Sequence, residues 1–176
     1  AIRRLQELGL RVELLSGDRL VVAEALGARW GVDRVRAEVS PEGKLEIVEA
    51  LERGGARVVM VGDGLNDAPA LARASVGVAM GQGTDVAKAS SALTLLRDDP
   101  RVVADAIESA RETRATIRQN LAWAFGYNLV TLPLAALKIL DPAVAAGAMA
   151  ISSLVVVVNS LRLRRVRRAP PTGPVA

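Results

Sequence analysis

The chain has 176 residues, of which 51% are hydrophobic but only 2% aromatic, and its net charge is +4. It contains no cysteine and no histidine, which excludes disulfides, thiolate metal clusters and any catalysis that depends on an imidazole. A basic balance can indicate nucleic-acid binding. Here, however, aromatic residues are scarce and five arginines lie within residues 162–168, beside an apolar block. We therefore expect a lipid bilayer as the partner, and no nucleic acid.

Strands and helices alternate along the first two thirds of the chain. Apolar residues at helical spacing predict helices near residues 2–8, 19–30 and 41–53, and Ser40 followed by Pro41 is typical of a helix start. Short apolar runs predict strands at "LRVELL", "VRAEV", "RVVMV", "SVGVAM" and "ALTLL", with short helices near residues 68–72 and 85–89. This alternation predicts an α/β fold, a parallel sheet with flanking helices, over a first domain of residues 1–118.

Two apolar spans follow, at residues 120–140 and 142–161. A bilayer core about 30 Å thick needs roughly 20 helical residues, so both spans are long enough to cross it. The alternative is a pair of buried core helices, but a domain of this size cannot surround both. We predict a two-helix transmembrane hairpin over residues 119–161, turning at "LDP", and a basic tail over residues 162–176 with a disordered end.

Arginines flank the predicted hairpin on both sides. They stand at positions 111, 114 and 118 before the first span and within residues 162–168 after the second. By the positive-inside rule, both ends of the hairpin are cytoplasmic. The chain is therefore predicted to be an integral membrane segment, and we expect it in the cell (plasma) membrane.

Polar side chains follow the predicted strands at the ends where open parallel sheets bind ligands. They are Ser16, Asp18, Lys44, Asp63, Asn66 and Asp67, and Gly62 and Gly64 flank Asp63. A hydroxyl, an ammonium and paired carboxylates together suit a phosphate with Mg²⁺. A tight turn or a solvated lysine explains each fragment alone, but "GDGLNDAPAL" as a whole is specific.

These motifs resemble those of the P-type ATPases, from residue 1 to about residue 168. "SGD", "SPEGK" and "GDGLNDAPAL" are similar to the second, third and fourth motifs of the family's haloacid-dehalogenase-like phosphorylation domain. "GVAMGQGTDVAKASSALTLL" is similar to its next conserved stretch. The resemblance implies an α/β haloacid-dehalogenase-like fold and Mg²⁺-dependent aspartyl-phosphate chemistry driven by ATP.

The same resemblance assigns roles to residues at the strand ends. Ser16, where the family usually has threonine, and Lys44 would hold the phosphate oxygens, with Asp18 in the same catalytic group. Asp63 would ligate Mg²⁺, and Asn66 and Asp67 would orient the phosphate and the metal, Asp67 also as a metal ligand. Gly62 and Gly64 would border the bound cofactor.

The family's phosphorylated aspartate lies in an Asp-Lys-Thr-Gly-Thr sequence, which this chain does not contain. We therefore expect the C-terminal part of a pump, without the nucleotide-binding domain and inactive alone. Its partners would be the remaining domains of the same pump and a soluble copper chaperone. A haloacid-dehalogenase-type phosphatase and a catalytically silent membrane remnant are the alternatives.

The transported ion is suggested by polar residues within the spans. They are Tyr127 and Asn128 in the first and Met149 and Ser153 in the second. A thioether beside hydroxyl and amide oxygens suits soft Cu(I), although such residues also serve as packing contacts between helices. "YN" and "MxxSS" resemble the copper(I)-exporting heavy-metal branch, whereas the zinc branch carries an aspartate in its last helix. Ag(I) or another heavy metal stays an alternative cargo.

Overall fold

The structure is a computed structural model that describes residues 1–97 and 99–166, without the side chains of residues 65, 142 and 164–166. The chain forms two compact units, which we call the sheet unit, Ala1–Ala106, and the helical unit, from Ile107 onward. The unit boundary falls earlier than the predicted domain boundary after residue 118. The difference arises because one continuous helix carries the chain across both positions. The predicted disordered end lies outside the described residues.

The sheet unit alternates strands and helices as predicted. Its helices are α1 (Ile2–Glu7), α2 (Leu20–Trp30), α3 (Pro41–Arg53), α4 (Ala68–Arg73) and α5 (Asp85–Ala89). Its strands are β1 (Glu13–Leu15), β2 (Arg34–Arg36), β3 (Val59–Gly62), β4 (Val76–Ala79) and β5 (Leu93–Thr94). The helix start predicted at Ser40 is confirmed, since its hydroxyl accepts a hydrogen bond from the Gly43 N–H at 3.0 Å.

All strand pairs are parallel, but they form two hydrogen-bonded groups rather than one ladder. β1 pairs with β2 with Leu14 opposite Val35, whereas β3, β4 and β5 form the second group with Val61 opposite Val78. Within the described residues, no strand hydrogen-bonds to both β1 and β3. The two groups share a core nevertheless, since Leu15 of β1 packs against the cluster that contains Met60 of β3.

In the helical unit, the helix that contains the first predicted span ends at Ala136, before the predicted end at residue 140. α6 runs over Arg101–Ala136 and stops at a left-handed residue, Lys138, with φ of 58°. The Ile139 N–H donates to the Leu134 carbonyl at 3.0 Å and the Lys138 N–H to the Ala135 carbonyl at 3.0 Å. These two bonds form a Schellman motif, which satisfies the last carbonyls of the helix. A charged side chain at this position thus coincides with the end of the span.

The second span is a helix of membrane-crossing length. α7 covers Pro142–Val166, and the Asp141 carboxylate caps it by accepting from the Ala143 N–H at 2.8 Å. Residues Ala143–Leu163 have a mean hydropathy of 2.0, and only 6% of this apolar stretch is buried. Twenty-one helical residues extend about 32 Å, enough for a bilayer core. Among the described residues, this is the one helix that meets the length and hydropathy of a membrane span; the first span stays a prediction.

A carboxylate on α3 ties the sheet unit together away from the strand ends. Glu52 accepts from the Ser75 backbone N–H and hydroxyl, both at 2.6 Å, and from Arg73 at 2.8 Å. The Ser75 hydroxyl is the main cause that lowers the pKa of Glu52 below its ordinary value of 4.5, with further lowering by the Ser75 N–H and the Arg73 charge. α3 is thereby fastened to the residue that precedes β4.

We predict that this contact makes folding of the sheet unit sensitive to acid. Because the pKa of Glu52 is lower in the folded state, its contribution is complete above the ordinary pKa and is lost as the pH falls through the lowered value. Glu52→Gln should therefore flatten the dependence of the thermal unfolding midpoint on pH between about pH 5 and pH 3. Glu46→Gln, on the exposed face of the same helix, is the control; an equal flattening in both variants would contradict the prediction.

Candidate functional site

The carboxyl end of β3 carries an ion pair between two of the predicted site residues. Lys44 Nζ lies 2.7 Å from Asp67 Oδ1, and the two side chains are 16% and 12% exposed. Lys44 comes from the first turn of α3, and Asp67 ends the 3₁₀ turn Leu65–Asp67 that follows β3. Asp63 and Asn66, from the same loop, are exposed to solvent. The pair joins "SPEGK" to "GDGLND" and leaves one carboxylate and one amide open to a ligand.

The ion pair is sterically possible only because residue 62 is glycine. A Cβ at this position would lie 2.8 Å from both the Cβ and Oδ2 atoms of Asp67. Such contacts essentially never occur, so any side chain here would displace the Asp67 carboxylate. The glycine that ends β3 is therefore required by close approach within the protein, whereas a Cβ on Gly64 would meet nothing closer than 3.9 Å.

The "SGD" loop adjoins the start of α3. The Ser16 hydroxyl donates to Asp18 Oδ2 at 2.9 Å, and the Asp18 N–H donates back to the Ser16 hydroxyl at 3.1 Å. Backbone bonds run from the Val39 N–H to the Ser16 carbonyl at 3.0 Å and from the Glu38 N–H to the Asp18 carbonyl at 2.9 Å. Because Val39 directly precedes the Ser40 cap of α3, Ser16 is held near the turn that presents Lys44.

A contact that the sequence analysis missed holds the backbone of Asp63. The Thr84 N–H donates to the Asp63 carbonyl at 2.9 Å, and a Cβ on Gly83 would lie 2.9 Å from the Met80 carbonyl oxygen and 3.0 Å from that of Asp63. Thr84 also caps α5, its hydroxyl accepting from the Ala87 N–H at 3.2 Å. The sequence did show a loop of small residues that ends in a helix-cap residue, "GQGT". It did not show that Thr84 of this loop contacts Asp63, which lies about 20 residues earlier in the chain.

Four separate sequence motifs thus meet at the carboxyl ends of β1 and β3. They supply an ammonium and hydroxyls, which bind phosphate oxygens, and two acceptor carboxylates, those of Asp63 and Asp67. Within the described residues no group of three or more acidic side chains is positioned to enclose a metal. Mg²⁺ fits such a set, because it is usually held by one or two carboxylates with waters and phosphate oxygens. The site suits phosphoryl chemistry with Mg²⁺ shared between protein and substrate.

The predicted cargo ligands are placed on α6 and α7 without a common contact. The Tyr127 hydroxyl donates to the Ala145 carbonyl at 3.2 Å, and the Ser153 hydroxyl donates to the Met149 carbonyl at 3.1 Å. The Met149 side chain is 64% exposed, and Asn128 is exposed. No hydrogen bond in the described part of the helical unit joins Tyr127 or Asn128 to Met149 or Ser153.

Comparison with known proteins finds relatives that agree with one another in family. Residues 1–75 match the family model of haloacid dehalogenase-like hydrolases. A copper-exporting P-type ATPase of Mycobacterium tuberculosis is 49% identical over 97% of this chain and 22% of its own length. A copper-exporting P-type ATPase of Staphylococcus aureus is 45% identical over 97% of this chain and 21% of its own length. The chain therefore spans about a fifth of the length of these relatives.

Solved structures agree with this relationship. The crystal structure of a zinc-transporting PIB-type ATPase in the E2.Pi state has a TM-score of 0.84 at 37% identity, covering 92% of this chain and 26% of that chain. The catalytic domain of the CPx-ATPase CopB-B has a TM-score of 0.57 at 37% identity, covering 60% of this chain and 42% of that chain. The chain thus belongs to the P-type ATPase family, and its sheet unit has the haloacid dehalogenase-like fold.

Proposed function

We propose that this chain is the part of an ATP-driven copper(I) pump that supports phosphoryl transfer and contributes two membrane helices. The observation that carries the proposal is the Lys44–Asp67 pair at 2.7 Å, held against Gly62 at the carboxyl end of β3. It unites an ammonium and a carboxylate where open parallel sheets bind ligands. Relatives named as copper-exporting P-type ATPases support the same function.

Each polar group at the site has a role in such a transfer. Lys44 and the Ser16 hydroxyl would bind phosphoryl oxygens, and Asp67 would fix the position of the Lys44 ammonium. The exposed Asp63 carboxylate would hold Mg²⁺ together with Asp67, and Asn66 would orient the phosphate. Asp18 accepts the only proton of the Ser16 hydroxyl in this structure, so the hydroxyl would have to turn from Asp18 to a phosphoryl oxygen when phosphate binds. When bound, Mg²⁺ would neutralise charge on the transferred phosphoryl group.

Gly64 would allow the phosphate to approach this backbone closely, whereas the space beside Gly62 is filled by the Asp67 carboxylate. The acceptor aspartate and the ATP-binding domain would come from the rest of the pump, since "DKTGT" does not occur in this sequence. In phosphoryl transfer the protein mainly positions groups and stabilises charge. The residues described here would therefore contribute to the rate without supplying the nucleophile.

The proposed cargo is Cu(I). α7 contains no aspartate or glutamate, but it carries the Met149 thioether one turn before Ser153. A soft sulfur ligand without a nearby carboxylate favours a soft monovalent ion over Zn²⁺. The zinc-transporting ATPase of similar structure is 37% identical to this chain, whereas the copper-exporting relatives are 45% and 49% identical. Ag(I) shares the relevant chemistry with Cu(I).

The proposed location is a membrane, in which α6 and α7 both contact lipid. Large apolar side chains on both helices point outward, including Leu129 at 77% and Leu132 at 74% exposure, as expected for a lipid-facing surface. The arginines before the first apolar span and after the second favour a cytoplasmic position for both ends of this chain segment. The membrane would be the plasma membrane. The protein partners would be the other domains of the pump and a soluble copper chaperone.

We predict that Lys44→Met in the complete pump slows phosphoenzyme formation from ATP about 100-fold, because it removes a charge that stabilises the transferred phosphoryl group. Cu(I) bound per pump should not change, since the helical unit is untouched. Lys88→Met, a lysine on α5 outside the ion pair, is the control. Normal phosphorylation in Lys44→Met, measured with labelled ATP, would contradict the proposal.

Gly83→Ala should raise the Mg²⁺ concentration needed for half-maximal phosphorylation about 10-fold or more, as expected when a group that supports a metal ligand is disturbed. The added Cβ would push against the Asp63 and Met80 carbonyls. Gln82→Ala, an exposed neighbour in the same loop, should leave the Mg²⁺ dependence unchanged. If Gly83→Ala lowered the maximal rate alone, at an unchanged Mg²⁺ requirement, the loop would not position Asp63.

Met149→Leu tests the cargo assignment. Leucine retains the volume and apolarity of methionine, and such exchanges usually cost less than about 1.5 kcal/mol. Cu(I) binding in the membrane part and Cu(I)-stimulated ATPase activity should fall, with thermal stability close to wild type. Ile151→Leu is a matched control, because Ile151 lies on the same helix with the same 64% exposure. Undiminished Cu(I) binding, or equal stimulation by Zn²⁺ in the wild type, would remove the copper assignment.

A further inference from the structure

A cluster of polar side chains joins α6 to α7 at the arginine-rich end of the helix pair. The Asn120 amide donates to the Ser160 hydroxyl at 2.9 Å. The Asn159 amide donates to Asn120 Oδ1 at 2.9 Å and to Gln119 Oε1 at 3.3 Å. We call Gln119, Asn120, Asn159 and Ser160 the amide cluster. It has no part in the phosphoryl site or among the cargo residues.

The amide cluster borders a groove of about 470 Å³ between the two helices. Leu154, Val155 and Val158 form an apolar wall along α7, and the Trp123 indole stands opposite on α6. Gln119, Asn120, Asn159 and Arg162 line its polar end. The groove is therefore amphiphilic along its length, with a cationic end and a hydrocarbon-lined wall.

The polar end presents an excess of hydrogen-bond donors. Two of the three amide oxygens in the cluster already accept bonds from Asn159, whose two N–H groups are thereby used. The remaining amide N–H groups, two on Gln119 and one on Asn120, have no partner among the described residues. The Arg162 guanidinium is exposed and likewise forms no ion pair in the described part of the chain. Donors and a positive charge together favour an anion over a cation.

We propose that this groove binds one anionic phospholipid, with its phosphate against Arg162 and the amide cluster and an acyl chain along the apolar wall. Arginine forms bidentate bonds to phosphate oxygens, and tryptophan prefers the level of the headgroups. Basic residues at a cytoplasmic membrane surface attract anionic lipids. The proposal rests on the proposed membrane location of α6 and α7, but not on copper or ATP.

Trp123 supplies a local probe of the groove. The chain has two tryptophans, so Trp30→Phe leaves Trp123 as the sole indole. This chain would be reconstituted in phosphatidylcholine vesicles with increasing fractions of phosphatidylglycerol brominated on its acyl chains, which quenches tryptophan on contact. Brominated phosphatidylcholine in the same proportions is the zwitterionic reference. Quenching should reach half-maximum at a clearly lower fraction of the anionic lipid.

The arginine variants separate a built site from surface charge. Arg162→Gln should raise the anionic lipid fraction needed for half-maximal quenching about fivefold, and Arg162→Lys should give an intermediate value because it retains charge without the guanidinium fork. Arg118→Gln is the control. It also removes one positive charge at the arginine-rich end of the helix pair, but Arg118 does not line the groove. It should shift the midpoint by less than about twofold, since exposed charges are screened by salt.

Three outcomes would overturn the proposal. Equal shifts in Arg162→Gln and Arg118→Gln would show general surface attraction only. Loss of the anionic preference on adding millimolar inorganic phosphate would show a site for free phosphate rather than lipid. Absence of quenching by either brominated lipid would show that Trp123 does not reach the bilayer. That last result would also remove the membrane location proposed above, whereas the first two would leave the proposed pump function intact.

Discussion

The ion pair between Lys44 and Asp67 is the contact on which the geometry of the candidate site depends. Its atoms are 2.7 Å apart, and both side chains are largely shielded from water. Removing one partner of a shielded pair leaves an uncompensated charge, which is strongly destabilising. The first turn of α3 and the loop after β3 are therefore held in one arrangement. Gly62 is part of this constraint, because its missing Cβ leaves the space that the Asp67 carboxylate fills.

Around that pair, the loops are held mainly by their backbones. The Val39 N–H binds the Ser16 carbonyl, and the Thr84 N–H binds the Asp63 carbonyl. The side chains of Asp63 and Asn66 are consequently not needed to stabilise the loops and stay exposed. This separation matters chemically, since a carboxylate already committed to internal hydrogen bonds has fewer lone pairs for a metal. Rigid backbone support with free side-chain oxygens is the arrangement that a preorganised site requires.

The sequence predicted the order of helices and strands, because periodicity and cap residues such as Ser40 act locally. It also predicted which polar residues lie at strand ends, since that depends only on where apolar runs stop. It did not predict the support of Asp63 by Thr84, the break in hydrogen bonding between β1 and β3, or the pairing of Asn120 with Asn159. Each of these features depends on which segments come together in the folded chain. Local sequence patterns do not contain that information. The early end of α6 was missed because the apolar run continues past Lys138, whose left-handed conformation ends the helix.

The polar groups of α6 and α7 separate into two sets with opposite hydrogen-bonding character. Tyr127 and Ser153 donate their only hydroxyl protons to carbonyls of α7, at Ala145 and Met149. A hydroxyl that has donated its proton keeps oxygen lone pairs, so these groups can face a cation but not an anion. At the arginine-rich end, Asn159 donates to the oxygens of Asn120 and Gln119, and N–H groups of these two amides are left without a partner among the described residues. Tyr127 and Ser153 thus keep hydroxyl oxygens as acceptors, although they share no contact, and amide donors lie beside Arg162. One helix pair accordingly carries oxygen acceptors along its length and N–H donors at its arginine-rich end, without a single acidic residue in α7.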